Sequence, residues 1–179
     1  MPISRPALVS EAEFLALPET MERIELLDGE VIMAPSPSVW HQELLSRIVH
    51  HLRAWRDAAR AGAFVGQAPL DVRFGPGRIL QPDAFVILGE VALDVEGPLD
   101  RIPDLCVEVL STNRAFDRLT KRIVYASSGV RELWLVEPSG VIERWSGPGL
   151  NEADVLGTTL TTPLLPGFTL DLETLFGNR

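Results

Sequence analysis

Residues 105–110 read Leu-Cys-Val-Glu-Val-Leu, an apolar run with one carboxylate, Glu108, inside it. A run this uniformly apolar predicts a central strand covered on both faces, with no solvated side. Desolvating a carboxylate there costs several kcal/mol or more unless a partner compensates. Any fold this chain adopts must therefore bring something to Glu108. The partner is either an arginine or lysine that serves stability alone, or a cation with a chemical purpose.

The chain has 179 residues, 46% of them hydrophobic, enough for one compact domain with its own core and too few for a second. The expectation is a single domain over residues 1–179, with its core at about 20–146 and a C-terminal extension over 147–179. Cys106 is the one cysteine and lies in the same apolar run, which excludes an internal disulfide and points to a buried free thiol in a reducing, cytoplasmic setting. Nothing resembles a signal peptide, and no window reaches the roughly 18 apolar residues of a membrane span. The net charge of −9 argues against a protein that coats nucleic acid. It leaves transient contact open, because clustered carboxylates can hold divalent cations that supply local positive charge.

Residues 9–17 predict a short helix capped by Ser10, with Glu13 at the reciprocal capping-box position. Two β-like runs then flank Asp28-Gly29, a hairpin dipeptide. Leu44, Leu45, Ile48, Val49, Leu52 and Trp55 recur at helical spacing, predicting a long amphipathic helix from Val39 to about Ala61, capped by Ser38 and ended by Gly62. Short strands are expected at 63–65, 69–74 and 84–88, then an exposed loop over 89–103. A helix from Asn113 to about Ser128, stopped by Gly129, follows the buried strand, and a strand pair turns at Pro138-Ser139-Gly140. A strand–helix–strand unit among mostly antiparallel strands predicts an α/β (α+β) domain: a mixed sheet with helices packed on it.

Asp83 opens the run Ala84-Phe85-Val86 just after Pro82, which by itself suits a turn residue. Beside Glu108 it acquires a second reading, since two carboxylates on adjacent strands can hold Mg²⁺ with water and a phosphate completing the shell. On the helix that follows, Arg114, Asp117, Lys121 and Tyr125 share a face at spacings of three and four. Lys121 is either half of a solvated pair with Asp117 or a charge aimed back over the strand of Glu108. No zinc-type cluster, phosphate-cradling glycine loop or Ser/His/Asp pattern is present.

The succession Ile24-Glu25-Leu26, Gly29-Glu30, His41, Pro82-Asp83, Pro103-Asp104-Leu105, Glu108-Val109-Leu110-Ser111, Asp117, Lys121, Tyr125, Gly129-Val130 and Leu133-Trp134 resembles the Uma family, restriction-endonuclease-like proteins of the PD-(D/E)xK type. The resemblance runs from about residue 9 to the tail. It implies a restriction-endonuclease-like mixed sheet flanked by helices, with an N-terminal β-hairpin extension. It also implies a Mg²⁺ (or Mn²⁺) endonuclease with Asp83 and Glu108 as metal ligands and Lys121 as the third catalytic residue. The simplest motif would put the lysine at position 110, where this chain has Leu110, so the resemblance is to the subgroup whose lysine has moved to the next helix.

Glu25, His41 and Arg114 are auxiliary candidates: an acid near the metal, a proton carrier and a phosphate contact. Each also fits an ordinary surface role. The implied substrate is nucleic acid, DNA in the first place, bound transiently, with no membrane partner. Trp40 and Trp145, if exposed, could form the seam of a homodimer. The alternative function is a catalytically silent nuclease fold serving as an interaction module for nucleic acid or protein.

Overall fold

The structure, a computed structural model, describes residues 8–18, 22–110 and 116–177. Arg114 and the side chain of Asp117 lie outside them, as does the start of the helix expected from Asn113. Helix α1 (Glu11–Leu15) begins as the capping box requires: the Ser10 hydroxyl accepts the Glu13 N–H at 3.2 Å, and the Glu13 carboxylate takes the Ser10 N–H at 2.8 Å. Strands β1 (Ile24–Leu27) and β2 (Glu30–Met33) form the expected hairpin, with Asp28 and Gly29 both at positive φ.

Helix α2 (Val39–Ala59) starts at Ser38 and buries the anticipated stripe from Leu44 to Trp55. Its end differs from the expectation. Arg60, not Gly62, takes the left-handed turn at φ 48°, and the Ala61 N–H closes on the Arg56 carbonyl at 3.0 Å. The chain thus satisfies its last carbonyls two residues before the glycine is reached.

Strands β3 (Ala63–Gln67), β4 (Val72–Gly75), β5 (Arg78–Leu80), β6 (Ala84–Leu88) and β7 (Leu105–Val109) follow. The strand expected at 69–74 shortens to β4, since Pro69 has no N–H for a ladder. β5 was not anticipated, because three residues are too few to show a period. A π-helical turn (Phe116–Lys121) runs into α3 (Arg122–Ser128), which Gly129 ends at φ 96°. Then come β8 (Glu132–Glu137), β9 (Val141–Ser146), β10 (Glu152–Leu156), β11 (Thr159–Thr161), β12 (Thr169–Asp171) and α4 (Leu172–Phe176).

The main sheet has six strands in the order β10-β9-β8-β7-β6-β3. All its pairs are antiparallel except β7–β8, which the helical crossover joins in parallel. A four-stranded sheet, β2-β1-β5-β4, and the β11–β12 pair complete the architecture. This is the mixed α+β arrangement expected.

The period-two alternation of the central strands sorts their side chains to two faces. Val86, Leu105, Val107, Val109, Trp134 and Val136 pack with the α2 stripe and with Leu160, Phe168 and Leu175 of the C-terminal segment. Phe85, Ile87, Cys106, Leu110, Leu133 and Leu135 pack instead with Val124 and Tyr125 of α3 and with Val72, Phe74 and Leu80 of the smaller sheet. The two tryptophans considered for a dimer seam are each partly covered. Trp40 is half-buried against the α2 side and donates its indole N–H to the Pro138 carbonyl at 3.1 Å. Trp145 lies half-buried with the Arg122 guanidinium 4.2 Å from its ring centroid.

Gly66 pairs with Phe85 across β3 and β6, and a Cβ built there would lie 2.2 Å from the Phe85 ring. Gly66→Ala should lower stability by about 1–3 kcal/mol through overpacking, read as a lower urea midpoint at unchanged slope.

Candidate active site

β6 and β7 align Ala84 with Val107, so residue 83 falls opposite residue 108. Asp83 shares its face with Phe85 and Ile87, and Glu108 shares its face with Cys106 and Leu110: the same side of the sheet, toward α3 and the smaller sheet. Asp83 is fixed in this place by its own Oδ2, which accepts the Val109 N–H at 2.8 Å. Directly opposed side chains on one face have Cβ atoms about 4.5–5.5 Å apart, close enough for two carboxylates to serve one cation.

The helical crossover supplies the counter-charge. Lys121 sits where the π-helical turn passes into α3, and Nζ lies 3.2 and 3.1 Å from the two Glu108 oxygens and 3.3 Å from Glu25 Oε1. It is only 3% exposed, so the reading of Lys121 as half of a solvated surface pair fails. Tyr125, one turn on, donates its hydroxyl to Glu108 Oε1 at 2.5 Å. Burial and the neighbouring Glu108 charge push the phenol's pKa well up, which keeps it a donor. Burial alone would depress the Lys121 ammonium, but Glu108 and Glu25 outweigh it and hold the pKa above its ordinary value.

Glu25 is 2% exposed, not a hairpin surface carboxylate, and its Oε1 also accepts the Gln81 N–H at 2.8 Å. His41 comes off the first turn of α2 and faces Asp83, Nε2 to Oδ2 at 3.2 Å, while its Nδ1 finds no partner among the described residues. Both auxiliary candidates within the described residues therefore join the cluster. Among those residues no group of three His, Cys, Asp or Glu is placed to hold a metal ion. A Mg²⁺ shell built from two carboxylates, water and phosphate does not require one, and Asp83 and Glu108 are the residues whose hard oxygen donors would fit such an ion.

Arg23 escaped the sequence reading. Its Nη1 donates to Asp83 Oδ1 at 2.7 Å, and its Nη2 to the Gln81 carbonyl, so it ties the first hairpin to the mouth of the main sheet. The available signal was its place two residues before Glu25, which sends both side chains to one side of an extended segment. Tyr125 was placed on the right helix face without its hydrogen bond to Glu108.

The mixed sheet flanked by helices is the arrangement that the sequence resemblance implied, and it brings Asp83, Glu108 and Lys121 together. The sequence profile of the Uma2 family, described as "Putative restriction endonuclease", matches residues 11–173, and the chain belongs to that family. Its fold is similar to the crystal structure of "a putative nuclease belonging to DUF820" from Anabaena variabilis ATCC 29413, with a TM-score of 0.77 and 23% identity over 94% of this chain and 97% of that one. At that identity the likeness is one of fold. No curated protein matches the chain. Among the described residues no helix is long and apolar enough to cross a membrane.

Two outcomes follow from this geometry. Removing Lys121 leaves Glu108 and Glu25 buried without their cation, so Lys121→Met should cost about 3–5 kcal/mol in metal-free urea unfolding, with part recovered in the Glu108→Gln/Lys121→Met double variant. Burial would raise the Asp83 carboxyl, but the His41 hydrogen bond and the Arg23 and Lys121 charges lower it to about 2. Its stabilising contribution is thus fully present above the ordinary carboxylate value and disappears as pH falls through about 2. Metal-free Asp83→Asn should show a flatter loss of stability between pH 4 and 2 than the wild type, in acid titrations followed by circular dichroism.

Proposed function

We propose that this protein is a divalent-metal-dependent endonuclease that hydrolyses phosphodiester bonds, with DNA as its substrate and Mg²⁺ or Mn²⁺ as its ion. The observation that carries the reading is the facing pair Asp83 and Glu108, buried at the ends of antiparallel strands with Lys121 over them. These carboxylates would hold the ion, which when bound supplies positive charge to the scissile phosphate and makes water a better nucleophile.

The chain's own groups have separable tasks. Lys121 neutralises charge that builds on the phosphate oxygens as water attacks and the bond to the leaving sugar oxygen breaks. Tyr125 and Lys121 together hold the Glu108 carboxylate in one orientation. His41, with Nε2 on Asp83, orients that carboxylate and can pass a proton near the site. Glu25 keeps Lys121 charged and directed at the strand pair. Arg114 remains a phosphate-contact candidate on sequence grounds.

A second reading has one observation in its favour. The cluster is already closed by internal ion pairs and the chain carries a net charge of −9, which also suits a silent nuclease fold used as an interaction module.

Incubation of purified protein with plasmid and single-stranded DNA in Mn²⁺ separates the two. Cleavage should stop on chelation and fall at least about 100-fold in Asp83→Asn, Glu108→Gln and Lys121→Met, each checked for folding by thermal melt. If no nucleic-acid substrate is cut and calorimetry shows no heat of metal binding, the enzyme reading fails and the module stands.

A further inference from the structure

Arg23 occupies a position that the roles above do not explain. Its guanidinium meets oxygens from three residues: Asp83 Oδ1 at 2.7 Å, the Gln81 carbonyl, and Glu25 Oε1 at 3.6 Å. Two carboxylates and a main-chain carbonyl are the donor set of a hard cation. The Arg23 side chain is 25% exposed while Asp83 and Glu25 are 4% and 2% exposed, so of the three it is the one that reaches solvent. Its Nε is buried and finds no partner among the described residues, so the pose leaves one donor unsatisfied.

Charge sharpens the point. Asp83, Glu108 and Glu25 stand against Arg23 and Lys121 in one desolvated cluster. The guanidinium occupies Asp83 Oδ1 while the Val109 N–H and His41 occupy Oδ2, so a divalent ion held by Asp83 would compete with them, and repulsion between cations is strongest where water is excluded. Lys121 is paired with both Glu108 and Glu25 and is almost fully buried. Arg23 is the cation placed to yield.

We infer that Arg23 is a built-in stand-in for the metal. It closes Asp83 before an ion arrives, withdraws from Asp83 Oδ1 as the ion enters, and then meets the substrate phosphate at the edge of the site. A guanidinium suits that second task because its fork of donors pairs with two phosphate oxygens at once. This inference rests on the reading of Asp83 and Glu108 as metal ligands.

Titration calorimetry with Mn²⁺ tests it on wild type, Arg23→Met, Arg23→Gln and Asp83→Asn. Wild type should bind, Asp83→Asn should lose binding, and the Arg23 variants should bind about tenfold more tightly, because the competing occupant is gone. Wild-type binding that depends on Asp83 but is unchanged or weaker in both Arg23 variants overturns the Arg23 inference and leaves the metal reading intact. No heat in any of the four proteins overturns both. Crystals of the wild type grown with Mn²⁺ give a check free of variant folding: a guanidinium moved off Asp83 supports the exchange, and one still bonded to Asp83 refutes it. Anisotropy of a labelled DNA duplex in Ca²⁺ tests the phosphate contact, with several-fold weaker binding by Arg23→Met expected and equal binding overturning that step.

Discussion

The carboxylate of Glu108 cannot sit inside a buried strand unless several other parts of the chain come to meet it. Lys121 and Tyr125 arrive from the crossover helix, while Glu25, from the first hairpin, shares the Lys121 ammonium. Arg23 links that hairpin to Asp83. The ion network thus couples the main sheet, the smaller sheet and the crossover in one set of mutually dependent contacts. Such a network adds little net stability over a well-packed apolar core, but removing one member is costly because its partners stay buried. The cluster is thus expensive to keep and expensive to break.

Most of what places that cluster is backbone register. The β6–β7 pairing sets Asp83 against Glu108, and the Asp83–Val109 hydrogen bond locks the alignment at the strand ends. The parallel β7–β8 pair demands a crossover, and the crossover is what returns a lysine to the strand it has just left. A slip of one residue in β7 would turn Glu108 to the α2 face, among the apolar Val86, Trp134 and Val136 of the neighbouring strands. The site therefore inherits its precision from hydrophobic alternation along β6 and β7.

Much of this was legible in the chain itself. Helix α2 and the hairpin at Asp28-Gly29 announced themselves through period and turn chemistry, and Glu108 through its apolar neighbours. Asp83 gained its second reading only beside Glu108, and Lys121 only through the family resemblance, since a proline-preceded aspartate and a helical lysine are common. What stayed hidden was non-local or brief. Arg23 acts on a residue sixty positions away, β5 has three residues, and the stop at Arg60 depends on how the last carbonyls of α2 are satisfied. Neither Trp40 nor Trp145 could be judged for exposure before their partners, Pro138 and Arg122, were in place.

The C-terminal segment has one more consequence. The α2 stripe packs on Leu160, Leu165, Phe168, Leu170, Leu172 and Leu175, and the Trp55 indole donates to the Pro166 carbonyl at 2.9 Å. Arg47 of the same helix reaches the Leu175 and Gly177 carbonyls at 2.8 and 2.7 Å. During synthesis, the inner face of α2 is made more than a hundred residues before the segment that covers it. Val65, Val86, Val107 and Val109 of the main sheet can cover part of that stripe as they emerge, but the rest stays open until the C-terminal segment follows. The α2 side of the core therefore closes after the residues of the ion cluster, all of which lie between positions 23 and 125, have been made.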